Sequence, residues 1–135
     1  MVIRGDVNYI KIGARTNIQD CAMVHVTHTT CPTIIESDVS IAHGAMIHGC
    51  HIKKGALIGI GAIVLDGAVV GEEALIGAGA VVREGFVVPP RVLIAGVPGK
   101  IIRDLTEQEI ERVTSTIPNY TKYVSEYRND ILKLQ

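Results

Sequence analysis

The residues best suited to chemistry in this chain are its five histidines, His25, His28, His43, His48 and His51, all of which fall between positions 25 and 51. Neutral imidazole is a favoured zinc ligand, and three imidazoles that leave a fourth coordination position open activate water instead of merely stapling a fold. Such a centre would hydrolyse or hydrate. The phase of these residues narrows the choice: His25 follows Val24 by one residue and His48 follows Ile47 by one, so the two leave the chain in equivalent directions. His43 follows Ile41 by two and leaves in another direction, toward a neighbouring molecule. Spacing alone leaves metal binding and a set of ordinary surface imidazoles evenly matched. Cys21, Cys31 and Cys50 are odd in number and lack CxxC spacing, so neither a disulfide framework nor a thiolate zinc site is indicated.

The elements that must position these side chains announce themselves as a repeat of six. Aliphatic anchors fall at Ile52, Ile58, Val64, Val70, Ile76, Val82, Val88 and Ile94 in unbroken register. Ala56, Ala62, Ala68, Ala74 and Ala80 follow four residues after their anchors, and Gly59, Gly71 and Gly77 follow one residue after theirs. This pattern predicts an all-β solenoid, a left-handed parallel β-helix whose coils have three flat sides. The large aliphatic fills the interior, the small residue takes the corner, and coils stack at about 4.8 Å, the strand spacing of a sheet. With 47% apolar residues but one Phe and no Trp, the interior must be aliphatic. Earlier anchors at Ile12, Ile18 and Val24, then Ile35, Ile41 and Ile47, obey the same period in two shorter registers. The first break is a polar insertion running from His25 to Pro32, and the second is a one-residue shortening between Ile47 and Ile52. Both breaks lie beside histidines, as a functional site in an otherwise regular lattice would require.

The repeat decays from about Pro89, and Ala95–Lys100 reads as the turn that ends the solenoid. Thr106 and Glu109 have capping-box spacing, and the segment from Leu105 to Leu134 is predicted to form a short helix and a longer one, divided by Pro118. Tyr120, Tyr123 and Tyr127 form one stripe on the second helix, expected to pack along the solenoid's flank. Two segments are expected: the β-helix over 1–100 and a C-terminal α-helical segment over 101–135 that packs on it. The open strand edge of the first coil invites association. Thirteen basic residues nearly balance 14 acidic ones, and no basic block interleaves with aromatics, which argues against nucleic acid or a membrane surface. No signal pattern opens the chain, and a soluble cytoplasmic protein is expected.

The run Arg4-Gly5-Asp6-Val7-Asn8, then Asn17-Ile18-Gln19-Asp20, His25-Val26-Thr27-His28 and His43-Gly44-Ala45-Met46-Ile47-His48-Gly49-Cys50 resembles the γ-class carbonic anhydrase family, as does Gly59 through Gly67. The resemblance extends from about Val2 to about Tyr127. It implies a homotrimer with metal sites at the subunit interfaces, His25 and His48 coming from one chain and His43 from its neighbour, and carbon dioxide and bicarbonate as substrate and product. Zinc is the implied metal, with Fe2+ or Co2+ as alternatives that imidazole also accepts. It further implies that Gln19 hydrogen-bonds the metal-bound hydroxide, that Asn17 positions substrate, that Tyr120 lies near the site, and that Arg4, Asp6 and Asp20 form ion pairs holding subunits in register. Read without the resemblance, Arg4, Asp6, Asp20 and Asn17 equally suit the satisfaction of corner backbone groups.

Two departures from the family pattern matter. Active members use glutamates to export the proton, whereas here Val7 follows Asp6 and the loop after His25 has no acid, which leaves His28 as the candidate shuttle and predicts weak or absent hydration activity. Relatives also carry further turns before the arginine–aspartate motif, so the sequence is expected to be short of those coils, either as a genuine short form or for want of its first turns. An acyltransferase or thioesterase of the same architecture, and a noncatalytic assembly subunit stapled by metal, stand as the other readings.

Overall fold

Strands of two to four residues joined by short corners build the solenoid, and the hexapeptide anchors explain why. A computed structural model describes residues 1–133. Sheet A stacks Val2–Ile3, Met23–His25, Met46–His48, Ile63–Val64 and Val81–Val82; sheet B stacks Ile10–Ile12, Thr33–Ile35, His51–Ile52, Val69–Val70 and Val87–Val88. Sheet C stacks Asn17–Ile18, Ser40–Ile41, Leu57–Ile58, Leu75–Ile76 and Val92–Ala95. All pairings between these strands are parallel, and each sheet carries one anchor row into the interior: Val24, Ile47, Val64 and Val82 in sheet A, for example. This is the expected triangular β-helix. The alanines are buried just inside the corners, and the corner itself is made by the residue before each, which takes positive φ: Gly61 at 64° precedes Ala62. Gly59 answers a different need, since a Cβ there would lie 2.6 Å from the Ile76 carbonyl oxygen of the next coil.

Both predicted breaks appear. The insertion forms a loop closed by a backbone bridge between Thr27 and Cys31. The shortening brings the positive-φ corner to Gly49, two residues after Ile47 where the regular coils place it three after the anchor. At the C-terminal end the turn at 96–99 does not finish the sheet, because Lys100–Asp104 returns antiparallel along Val92–Ala95. A turn signal read as an end was the middle of a hairpin.

Helix α1 then spans Glu107–Lys133 without interruption; Leu134 lies outside the described residues. The predicted division at Pro118 does not occur. Hydroxyls of Thr114, Ser115, Thr116 and Thr121 hydrogen-bond carbonyls of the preceding turn around it, and Ile110, Val113 and Ile117 anchor the preceding half by burial. The capping box forms, with Thr106 N–H donating to Glu109 Oε2 at 2.9 Å and Glu109 N–H to Thr106 Oγ1 at 3.3 Å. Beyond Ile117 the helix leaves the solenoid, so the tyrosine stripe does not pack as expected: Tyr123 is 57% exposed and Tyr127 69%. No helix among the described residues is long and apolar enough to cross a membrane.

Candidate metal centre

Parallel pairing of Met23–His25 with Met46–His48 sets His25 directly beside His48. Equal phase thus becomes contact: His25 Nδ1 lies 3.0 Å from His48 Nε2, with ring centroids 5.0 Å apart. Each ring's other nitrogen meets a carboxylate, His25 Nε2 at 2.9 Å from Asp6 Oδ1 and His48 Nδ1 at 2.6 Å from Asp66 Oδ1. The hydrogen bond from His25, with the Arg4 charge nearby, holds the Asp6 carboxyl below its usual range. Partial burial pushes Asp66 up, but hydrogen bonds from Thr27 and His48 outweigh it and leave that carboxyl lowered too.

Two ionised carboxylates can only accept, so each takes an imidazole N–H, and a neutral imidazole has only one. Two lone pairs then face each other across 3.0 Å. That arrangement is repulsive unless a cation, a proton or a metal ion, sits between the rings. Two imidazole nitrogens on one tetrahedral zinc are separated by about 3.3 Å, given bonds of about 2.0–2.1 Å. The donor set therefore fits a divalent metal, with carboxylates fixing the orientation of both rings.

The remaining residues lie outside this line of four side chains. His43 precedes the Met46–His48 strand that His48 ends, and its Nδ1 lies 3.5 Å from Asp20 Oδ2. Among the described residues no three metal-ligating side chains of the one chain gather to hold an ion. Gln19 Nε2 donates to Asn17 Oδ1 at 3.3 Å, and Asn17 Nδ2 to the buried Ser40 Oγ at 3.1 Å. Arg4 pairs with Asp6 within the chain, both well exposed. His28 is exposed on the inserted loop. Tyr120 is not brought to the histidines; its ring meets Tyr123 edge-to-face at 6.0 Å on α1, the helix whose preceding half borders Leu57 and Leu75 of sheet C. His51 pairs with Glu36 at 2.8 Å on sheet B. A groove of 740 Å³ between α1 and the corner residues Arg15, Asp38, Gly55 and Glu73 involves none of the histidines, and on its wall Arg15 pairs with Asp38 and Glu73 with Arg91.

Sequence reasoning missed Asp66 and Thr27. The signal for Asp66 was available at the corners: His48 and Asp66 each directly precede a positive-φ glycine, Gly49 and Gly67, and these corners stack, with Gly67 N–H donating to the Gly49 carbonyl at 2.7 Å. Thr27 had no such signal, because it lies in the insertion that breaks the period. The Cys50 thiol, pushed up to about 12 by burial, is inert packing.

Known proteins share both the coil and the histidine region. The family model for the bacterial transferase hexapeptide (six repeats) matches residues 49–84. A Methanocaldococcus jannaschii protein named "Probable carbonic anhydrase" is 52% identical over 121 residues, which cover 90% of this chain and 76% of that one. Protein YrdA of Escherichia coli is 44% identical over 133 residues, covering 94% and 72%. A Bacillus cereus crystal structure, provisionally called an acetyltransferase, superposes with a TM-score of 0.89 at 41% identity, covering 95% of this chain and 77% of that one. Fold and matches define a hexapeptide-repeat β-helix protein. The chain belongs to the hexapeptide-repeat family, among its γ-class carbonic anhydrase-like members.

Proposed function

We propose that the protein is a γ-class carbonic anhydrase-like zinc protein that hydrates carbon dioxide slowly at the interfaces of a homotrimer. One observation carries the reading: the line Asp6, His25, His48, Asp66, whose two central nitrogens face each other at 3.0 Å and call for a cation. His25 and His48 would hold the metal from one protomer and His43 from the next. An outward apolar row on sheet A, Val2, Met23, Met46, Ile63 and Val81, runs between the His43 corner and the His25–His48 corner. That row supports burial of the sheet against a second copy, and three-fold closure gives every site its third imidazole.

When bound, zinc lowers the pKa of a coordinated water from about 15.7 to about 7, which supplies a nucleophile at neutral pH. The chain's own residues then orient and relay. Gln19, its amide nitrogen engaged by Asn17, keeps its carbonyl oxygen as an acceptor for a hydroxyl, and Ser40 fixes Asn17 in turn. His28, exposed on the inserted loop, takes the product proton to solvent in place of the family's glutamates. Slow proton export limits turnover.

The test is carbon dioxide hydration by zinc-loaded protein followed by stopped flow. His43→Ala and His48→Ala are each expected to be inactive, and mixed trimers of the two to recover part of the activity, because every mixed trimer assembles one intact set of ligands at one of its three interfaces. Failure of the mixture to recover, with wild type active, would refute the shared site.

A further inference from the structure

The two interruptions of the repeat converge on one side chain, Asp66. Its Oδ1 meets His48 Nδ1 at 2.6 Å, and its Oδ2 accepts a hydrogen bond from Thr27 Oγ1. Thr27 opens the inserted loop and is itself tied down, its N–H donating to the Cys31 carbonyl at 3.0 Å and its carbonyl accepting from Asn8 Nδ2 at 3.1 Å. The shortened corner supplies the space. At buried Gly49 a Cβ would lie 2.5 Å from Asp66 Oδ1 and 2.8 Å from Cys31 Cβ, so any other residue there would push the carboxylate and the loop apart. The regular coils offer a control: a Cβ at Gly61, at another corner, would meet nothing within 4 Å.

From this geometry we infer that Thr27 and Asp66 form an outer relay that orients His48 as a metal ligand, and that the inserted loop and the shortened Gly49 corner exist to build it. The inference rests on the metal-centre reading above and adds to it two positioning residues. Asp66 selects the tautomer of His48 by accepting from Nδ1–H, which leaves Nε2 as the electron-pair donor. Thr27 holds the carboxylate so that one oxygen is committed to the imidazole. The inserted loop thereby acquires a role that needs no acidic residue in it: it is a buttress for the ligand, reaching the metal through two hydrogen bonds.

Cobalt(II) provides the test, since its visible absorption reports ligand geometry independently of turnover. Full-length wild type, Asp66→Asn, Thr27→Val, Thr27→Ser and His48→Ala would be compared by chelator competition and by spectrum, with Glu36→Gln as an off-site control. Removing an outer partner of a ligating histidine costs about 10–100-fold in metal affinity, and that loss is expected for Asp66→Asn. Thr27→Val is expected to weaken binding in the same direction and to alter the cobalt spectrum, Thr27→Ser to restore both, and Glu36→Gln to change neither. Thr27→Val is nearly isosteric and decides the matter alone if Asp66→Asn fails to fold. Cobalt affinity within twofold of wild type in Thr27→Val, with an unchanged spectrum, overturns the relay and leaves the metal centre standing. Wild type that takes up no cobalt, or uptake that survives His48→Ala, overturns both.

Discussion

The coils from Ile52 to Ile94 and the stretch from Val24 to His51 are built from the same hexapeptide yet differ in what they can do. In the first, each anchor stacks on an equivalent anchor and each corner repeats, and one pair of outward corner charges, Glu73 and Arg91, closes on itself. In the second, the period is broken twice, and every histidine of the chain lies there. A regular lattice makes a stiff frame whose corners are all alike; a site needs positions that are not alike, so chemistry collects where the lattice is interrupted. The frame still matters to the site, because His25 meets His48 only through parallel register, and Asp66 reaches His48 from the first regular coil.

The contrast can be broken most directly at the histidines. His48→Ala is expected to remove stoichiometric zinc altogether, while His51→Ala, whose ring pairs with Glu36 on sheet B, retains it; metal analysis after gel filtration in metal-free buffer decides this. Equal losses would mean that the interrupted stretch binds metal diffusely. Next in size is the regular frame: Ile76→Ala removes a fully buried anchor and should cost about 2–5 kcal/mol, seen as a lower denaturant midpoint without loss of metal per folded protomer.

Neighbouring glycines sharpen the distinction between corner and core within one coil. Gly59→Ala drives a Cβ into the Ile76 carbonyl and should destabilise by about 1–3 kcal/mol through overpacking. Gly61→Ala meets open space but keeps a left-handed φ of 64°, a cost of about 1–2 kcal/mol; parallel thermal melts would rank the two, and a reversed order would place conformational strain above packing. The smallest effect lies farthest from the site. Arg103 and the Thr106 N–H hold the Glu109 carboxyl down to about 2 from an ordinary 4.5, so its contribution to the helix start is present above about 4.5 and lost as pH falls through about 2. Helicity of Glu109→Gln should therefore lack the part of the acid transition that wild type shows between those values, with little change at neutral pH.

Much of the fold was legible because a six-residue period leaves few alternatives: an aliphatic every sixth position and a turn between can only stack into a three-sided coil. The site was legible in part. His25 and His48 share a phase, which translates directly into contact, and the different phase of His43 translates into a different corner. The C-terminal region was less readable. Gly96 through Gly99 signals a turn but not whether the chain will pair again after it, and the return strand Lys100–Asp104 has no periodicity to declare it. Pro118 forbids one amide donor but not the helix, which threonine and serine hydroxyls accompany through that turn.

Residue order by itself determined the coil, the interior row of aliphatics, the two interruptions and the pairing of two imidazoles, because all of these follow from counting in sixes. Tertiary structure decided the rest: that Asp6 and Asp66 close the line on either side of the histidines, that a missing Cβ at Gly49 makes room for one of them, and that α1 stays whole but leaves the solenoid after Ile117. These depend on distances between coils and on space beside a corner, quantities that no spacing along one chain contains.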